Sequence, residues 1–284
     1  SDIAFLIPPS IGMIIYGVVS GTSIAELFIA GVGPGLLILF LFATYSVVYA
    51  HRHGVPTEEK ASWGERGRAV SRALWPLGFP VIIIGGIYGG VFSPTEAAAA
   101  CVLYAPILEV AIFREKNHTQ VWDTAKSTRL LTAVVFTLVG AGAAFSWVTS
   151  FAQISPAVLD GIGISAMGPI GALFVISIAF FVGCMFVDPI VVILVLAAIF
   201  APVVDQVGLD PVLVGAVNTL LVAIGSAKPP FGCDIFTAIA VFKRPYPEVV
   251  RGTPPFIAIL LSVAIAMIFV PDIALFLRDL SFDK

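Results

Sequence analysis

Charge is what this sequence has least of: Asp, Glu, Lys and Arg together make up 12% of its 284 residues. A soluble globular domain carries about a quarter. Cysteine is scarce as well, and Cys101, Cys184 and Cys233 stand too far apart for a metal or disulfide framework, which leaves them as small apolar packing residues. The formal net charge of −3 offers nothing to a nucleic acid backbone. No HExxH pattern occurs and no histidine falls within an apolar run, which removes the usual equipment of an intramembrane enzyme, so no catalytic residue is assigned. A phosphate-cradling GxxxxGK[ST] loop is also absent, in keeping with a machine that does not use ATP. No basic n-region precedes the first apolar run, so that run is not a signal peptide. The sequence opens on Ser1 rather than Met and reads as a fragment whose N-terminal part is missing.

What is present is apolar surface. Hydrophobic residues amount to 59% and the mean hydropathy is +1.04. One soluble core cannot take up so many apolar side chains, and lipid is the solvent that accepts the excess. The basic residues cluster in three places: Arg52, Lys60, Arg66, Arg68 and Arg72; Arg114, Lys116, Lys126 and Arg129; and Lys243, Arg244 and Arg251. By the positive-inside rule these loops are cytoplasmic, with Trp63, Trp75 and Trp122 as interface anchors and the first loop lying along the inner surface as an amphipathic helix. Residues 23–50 then enter the first loop from outside. Residues 76–113 cross twice, broken at Ser93-Pro94-Thr95-Glu96, where Ser93 suits an N-cap, Pro94 the first helical position and Glu96 a capping box. Residues 130–152 cross outward, 211–242 inward and 254–277 outward. Residues 170–208 must then leave and return on one side; the alternative is two full spans, which would put the link near Asp188 in the cytoplasm with no basic residue and invert everything after it. Gly183, Asp188 and Pro189 at their midpoint suit the tip of a re-entrant helical hairpin.

Two apolar runs carry a proline pair and then a glycine: Ile7-Pro8-Pro9-Ser10-Ile11-Gly12, and Lys228-Pro229-Pro230-Phe231-Gly232-Cys233-Asp234. Consecutive prolines remove backbone donors and break a helix. With the topology above, the two broken helices run in opposite directions, the pattern of a secondary transporter built from inverted repeats. The fold class is therefore an all-α, polytopic integral membrane protein with inverted repeats, broken helices and a re-entrant hairpin. The expected divisions are 1–22, the broken helix of the first repeat; 23–128, scaffold-like helices and cytoplasmic loops; 129–169, a connecting helix and outer loop; 170–242, the hairpin and broken helix of the second repeat; and 243–284, an inner loop, last membrane helix and tail. Symmetry predicts a further hairpin directly upstream of Ser1.

The run from Ile7 through Gly12 to Tyr16 and Gly17 resembles the large membrane subunit of the TRAP (tripartite ATP-independent periplasmic) transporters. So do Pro229-Pro230-Phe231-Gly232 and, most specifically, the run from Gly85 to Ala97 that contains Pro94-Thr95-Glu96. The resemblance extends to about Leu280. It implies an elevator-type importer of the ion-transporter superfamily, multi-pass in the bacterial inner membrane. It also implies three associations: a soluble periplasmic substrate-binding protein, a small four-helix membrane subunit, and the surrounding lipid. Transport would be driven by Na⁺ without ATP or another cofactor, and the substrates would be organic acids such as C4-dicarboxylates, sialic acids and other carboxylates. A stand-alone Na⁺- or H⁺-coupled carboxylate carrier of the same superfamily, with no binding protein, is the alternative.

The broken ends supply the candidate site residues. Pro8, Pro9, Ser10 and Gly12 are expected at a first Na⁺ site, mostly through backbone oxygens and the Ser10 hydroxyl, and Gly183, Asp188, Gly225, Ser226 and Gly232 at a second. Asp188 suits an ion ligand or the cap of the following helix. Ser10, Lys228, Pro229, Pro230 and Asp234 are the substrate-binding candidates, and no metal other than Na⁺ is expected. Lys228 departs from the small or hydroxylated residue that the resemblance implies before the proline pair. Its ammonium has three readings: an ion pair with Asp234 or Asp188, contact with a substrate carboxylate, or occupation of a Na⁺ position.

Overall fold

The computed structural model describes residues 5–56, 60–152, 161, 163–164, 167–230 and 232–282, apart from the side chains of residues 131, 146, 150 and 233. The described residues form helices and connecting turns, and five helices are long and apolar enough to cross a membrane, or six when one bent pair is taken as a single span. The all-α, polytopic reading holds. The chain folds as two compact units, one of residues 1–45 with 138–284 and one of residues 46–137.

The first unit contains α1 (Ile11–Ser20), most of α2 (Ile24–Arg52), the end of α6 (His118–Phe151), α7 (Gly168–Gly183), α8 (Pro189–Gln206), α9 (Pro211–Ala227), α10 (Cys233–Phe242), α11 (Tyr246–Arg251), α12 (Pro254–Phe269) and α13 (Asp272–Phe282). Its centre is α9, in which every residue from Val212 to Ser226 is buried. An apolar sequence with no polar face is a helix that must be surrounded, and α1, α7, α8, α10, α12 and α13 surround this one. Small residues set how closely they approach. Gly215 lies under Tyr16 and Leu27, and Gly142 of α6 lies against Leu194 of α8. Gly140, on the same helix, meets nothing within 4 Å among the described residues.

α7 and α8 form the expected hairpin around a turn at residues 184–188. With 16 residues, α7 rises roughly 24 Å at 1.5 Å per residue, short of a hydrocarbon core of about 30 Å. α8, with 18 residues, is just long enough to pass as a span. The last apolar segment is bent: α12 and α13 meet at an angle of 59°, because Pro271 cannot continue the hydrogen-bond ladder of α12.

The second unit holds the end of α2, α3 (Trp63–Ala73), α4 (residues 78–88, with a π-helical stretch Val81–Gly85), α5 (Pro94–Ile112) and the first part of α6. The capping box before α5 has both of its hydrogen bonds: Glu96 N–H donates to Ser93 Oγ at 3.3 Å, and Ser93 N–H donates to Glu96 Oε2 at 2.8 Å. The first basic segment carries the expected helix, α3, and much of the second, expected as a loop, is helical too. Ser62 and Glu65 cap α3 reciprocally. Asn117 and Gln120 do the same for α6, through bonds of 2.9 and 3.0 Å, so α6 begins twelve residues before the expected crossing. Trp63, Trp75 and Trp122 are all exposed, as interface anchors must be. Much of the expected outer loop at 153–169 lies outside the described residues.

Candidate transport site

The chain breaks before α1, and Ser10 closes the break. Its backbone is extended (φ −112°, ψ 122°) and its Oγ accepts from Met13 N–H at 3.2 Å, the N-cap arrangement. The same hydroxyl donates to the Phe5 carbonyl at 2.5 Å, which draws residues 5–10 into a tight turn. Ser10 is only 1% exposed. Pro8 is buried beside it, Pro9 is exposed, and a cis peptide joins the two. One turn on, Gly12 meets both neighbouring helices: a Cβ there would stand 3.3 Å from Thr219 Cγ2 of α9 and 3.6 Å from Ile193 Cδ1 of α8. Gly31 of α2 lies directly against the Leu6 carbonyl and leaves no room for a side chain. The first broken end is thus held between a hairpin limb and the central helix.

The second break separates α9 from α10. α9 ends at Ala227, and Lys228 leaves it with extended backbone (φ −96°, ψ 137°) before the Pro229-Pro230 cis peptide. The chain then folds back, with Gly232 N–H donating to the Lys228 carbonyl at 3.0 Å. A Cβ on Gly232 would lie 2.5 Å from Ser226 O and 2.8 Å from Lys228 O, so these carbonyls crowd around a position that only glycine fills. Buried Ser226 ties the halves together: its hydroxyl lies 2.7 Å from the Ala223 carbonyl and 3.1 Å from Asp234 Oδ2. Gly225 packs directly on Cys184 at the hairpin tip, and Gly183 packs on Val192 of the other limb. Asp188 is exposed and caps α8, accepting from Ile190 N–H at 2.9 Å.

The structure therefore gathers Gly225, Ser226, Lys228, Gly232 and Asp234 at one place and sets Ser10 and Gly12 at another, both bordering α9. It corrects the ion-pair reading of Lys228. The ammonium lies within 4.0 Å of neither Asp188 nor Asp234; it donates to the Phe181 carbonyl at 2.7 Å and sits 3.3 Å from the centroid of the Phe181 ring. Lys228 is only 7% exposed. Phe181 belongs to the last turn of α7, where carbonyls lack intrahelical donors and the negative end of the helix dipole gathers. A buried cation finds there what a carboxylate would have offered.

The two breaks differ as hosts for Na⁺. At the first, the Ser10 hydroxyl and the Phe5 carbonyl are neutral oxygens, the donor type that suits a hard monovalent cation. At the second, a sodium ion would meet the Lys228 ammonium. Two unit charges 4 Å apart repel by about 4 kcal/mol at an effective dielectric of about 20. Among the described residues no cluster of three or more His, Cys, Asp or Glu side chains is placed to hold another metal.

A polar cavity of about 370 Å³ opens where the ends of α1, α8, α9 and α13 meet. Sequence reading missed it. Tyr16, Ser20, Glu26, Asp205, Asp210 and Arg278 line it. Arg278 bridges Asp210, at 2.5 Å, and Asp279, while the other oxygen of Asp210 caps α9 through Val212 and Leu213. One signal was available: on the topology above, Arg278 is a lone arginine on the outer side. Thr219 at Gly12 and Phe181 at Lys228 also escaped, since each acts through contacts that no local motif encodes.

The model of one protein family, the tripartite ATP-independent periplasmic transporter DctM component, matches residues 1–273. The chain belongs to this family. The ectoine/5-hydroxyectoine TRAP transporter large permease protein UehC of Ruegeria pomeroyi is 76% identical over 284 residues, covering 100% of this chain and 66% of the relative. The ectoine TRAP transporter large permease protein TeaC of Halomonas elongata is 68% identical over 282 residues, 99% of this chain and 66% of the relative. The sialic acid TRAP transporter large permease protein SiaM of Vibrio cholerae is 34% identical over 275 residues, 97% of this chain and 64% of the relative. The chain thus spans slightly less than two thirds of the length of these relatives. As a DctM-family chain it is a transporter component rather than an enzyme, and a multi-pass protein of the bacterial inner membrane.

Proposed function

We propose that this DctM-family chain is the permease part of a secondary importer that receives an ectoine-type solute from a soluble periplasmic binding protein. The 76% and 68% identity to two ectoine permeases carries the substrate reading. The relatives named for sialic acid and C4-dicarboxylate stand at 34% and 31%, so the broader organic-acid expectation narrows to a small zwitterion with one carboxylate. A small four-helix subunit and lipid complete the membrane part. Na⁺ is the driving ion, held at the first break by Pro8, Pro9, Ser10 and Gly12. Gly183, Gly225, Ser226 and Gly232 shape the second break, with Asp188 acting as the cap of the hairpin limb. The substrate lies between the broken ends, within reach of Ser10, Pro229, Pro230 and Asp234. The hairpin and broken helices move together against the scaffold in an elevator cycle. Two proline-broken segments that both border the buried α9 support this reading, because irregular backbone at membrane depth is tolerated where it lines a protein-enclosed site.

Uptake of labelled ectoine into proteoliposomes tests it, using the full-length permease with its small subunit and binding protein. The expected result is accumulation that requires both the binding protein and an inward Na⁺ gradient. Uptake without the binding protein would instead identify a stand-alone carrier. Uptake that follows a proton gradient and ignores Na⁺ would overturn sodium coupling.

A further inference from the structure

Lys228 has no role in the cycle outlined above. It is a buried cation on the boundary between the two mobile elements of the second repeat: its backbone terminates α9, and its ammonium holds the last turn of α7. Three observations define the position it fills. It lies at the carbonyl end of a helix, where the dipole favours a cation. Ser226 O and Lys228 O crowd around Gly232 a few residues away. The ammonium itself takes an oxygen at 2.7 Å and a ring face at 3.3 Å, with no carboxylate within 4.0 Å among the described residues. Helix-end carbonyls and unwound backbone are the donors that broken-helix transporters offer to a coupling ion. An ammonium about 4 Å from a sodium ion would weaken that ion's binding ~1,000-fold.

We infer that Lys228 is a tethered cation standing in the second ion position, so that this permease carries one sodium fewer per cycle than a two-ion site would. The inference deepens the ion-coupled reading and rests on it. It also assigns the lysine a task during movement. A bound sodium must arrive before the hairpin can close on the broken helix, whereas a tethered ammonium keeps α7 and α9 joined at all times. The second break is then closed independently of sodium, and sodium dependence resides at the first break.

Direct sodium binding tests this without transport. The full-length permease with its small subunit is purified as wild type, Lys228→Ser and Lys228→Met, and ²²Na⁺ binding and thermal unfolding are followed in sodium and in choline. Serine leaves space and an oxygen. Methionine fills the space with neither charge nor oxygen ligand. The expected result is a gain of about one bound sodium per permease in Lys228→Ser, accompanied by a thermal shift in sodium larger than that of wild type, and no gain in Lys228→Met. Equal sodium stoichiometry in wild type and Lys228→Ser overturns the inference. So does a Lys228→Ser complex that sodium fails to stabilise. If wild type binds no sodium and uptake ignores it, the ion-coupled reading fails separately, and a sodium ion gained by Lys228→Ser would still report the occupied position.

Discussion

The break at residues 5–10 and the break at residues 228–232 both contain a cis proline pair, and they are completed by different chemistry. At the first, a hydroxyl serves. Ser10 presents lone pairs to the amino end of α1, where free N–H groups need an acceptor, and uses its proton on the Phe5 carbonyl. At the second, an ammonium serves. Lys228 reaches the carboxyl end of α7, where free carbonyls need a donor. Each polar group therefore sits at the helix end whose partial charge suits it. The backbone problem is common to both breaks, but one is closed by a neutral hydroxyl and the other by a fixed cation.

The contrast extends to what each break is packed against, and that gives the largest expected effect. Gly31 faces the Leu6 carbonyl, part of the backbone of the first break, whereas Gly225 faces the Cys184 side chain at the hairpin tip. Gly31→Ala is expected to destabilise the protein by about 3 kcal/mol, the upper range for overpacking, with no single side-chain change able to relieve it. Gly225→Ala is expected to cost about 2 kcal/mol and to be relieved by Cys184→Gly, which removes the opposing Cβ, but not by Cys184→Ala, which keeps it. Thermal unfolding of the four variants checks this. Relief of Gly225→Ala by Cys184→Ala would show that the sulfur rather than the Cβ sets the contact.

The next pair compares the polar closures themselves. In sodium-free buffer Lys228→Met should lower stability by about 2 kcal/mol, because it leaves the Phe181 carbonyl buried without a donor. Ser10→Ala should lower it by about 1 kcal/mol, the usual worth of an N-cap. Transport should respond in the reverse order to sodium: Ser10→Ala is expected to raise the sodium concentration for half-maximal uptake by about tenfold, equivalent to about 1.4 kcal/mol, and Lys228→Met to leave it unchanged. Equal sodium shifts in the two variants would erase the distinction drawn between the breaks.

How much of this was legible in the sequence depended on whether the partner was local. Ser93 with Glu96, and Asp188 before Pro189, act within one helical turn, so their spacing announces them and the structure shows the bonds. The proline pairs announce the breaks for the same reason. The helices inside the basic segments were equally local, since Ser62 with Glu65 and Asn117 with Gln120 are capping pairs. The first basic segment is read as a helix, whereas the start of α6 at His118 is not, because the charge cluster there is given more weight than capping spacing. The bend at Pro271 was written in its proline. The partner of Lys228 was not legible, because it is a backbone carbonyl 47 positions away and every residue has one. Pairing a buried lysine with the nearest aspartate in sequence overlooked the helix end as a source of negative potential. The Gly12–Thr219 contact is likewise a product of packing.

Arg278 and Asp210, 68 positions apart, provide the mildest test, and it compares the outer cavity with the exposed second unit. The Arg278 and Asp210 side chains are 17% and 29% exposed, whereas those of Lys126 and Asp123 are 52% and 70% exposed. Less water around the first pair means weaker screening and a longer-lived geometry, and Asp210 is already oriented by capping α9. Asp210→Asn preserves that cap, since asparagine is an equally good N-cap, so a double-mutant cycle with Arg278→Gln isolates the ion pair. The expected coupling is about 1 kcal/mol, falling at 1 M salt, against about 0.3 kcal/mol for Asp123→Asn with Lys126→Gln. Coupling indistinguishable between the two pairs would mean that Arg278 is as free as a surface residue and that the outer cavity is not braced by charge. A larger value for Arg278 would establish that α13, beyond the bend at Pro271, is tied to the start of the central helix.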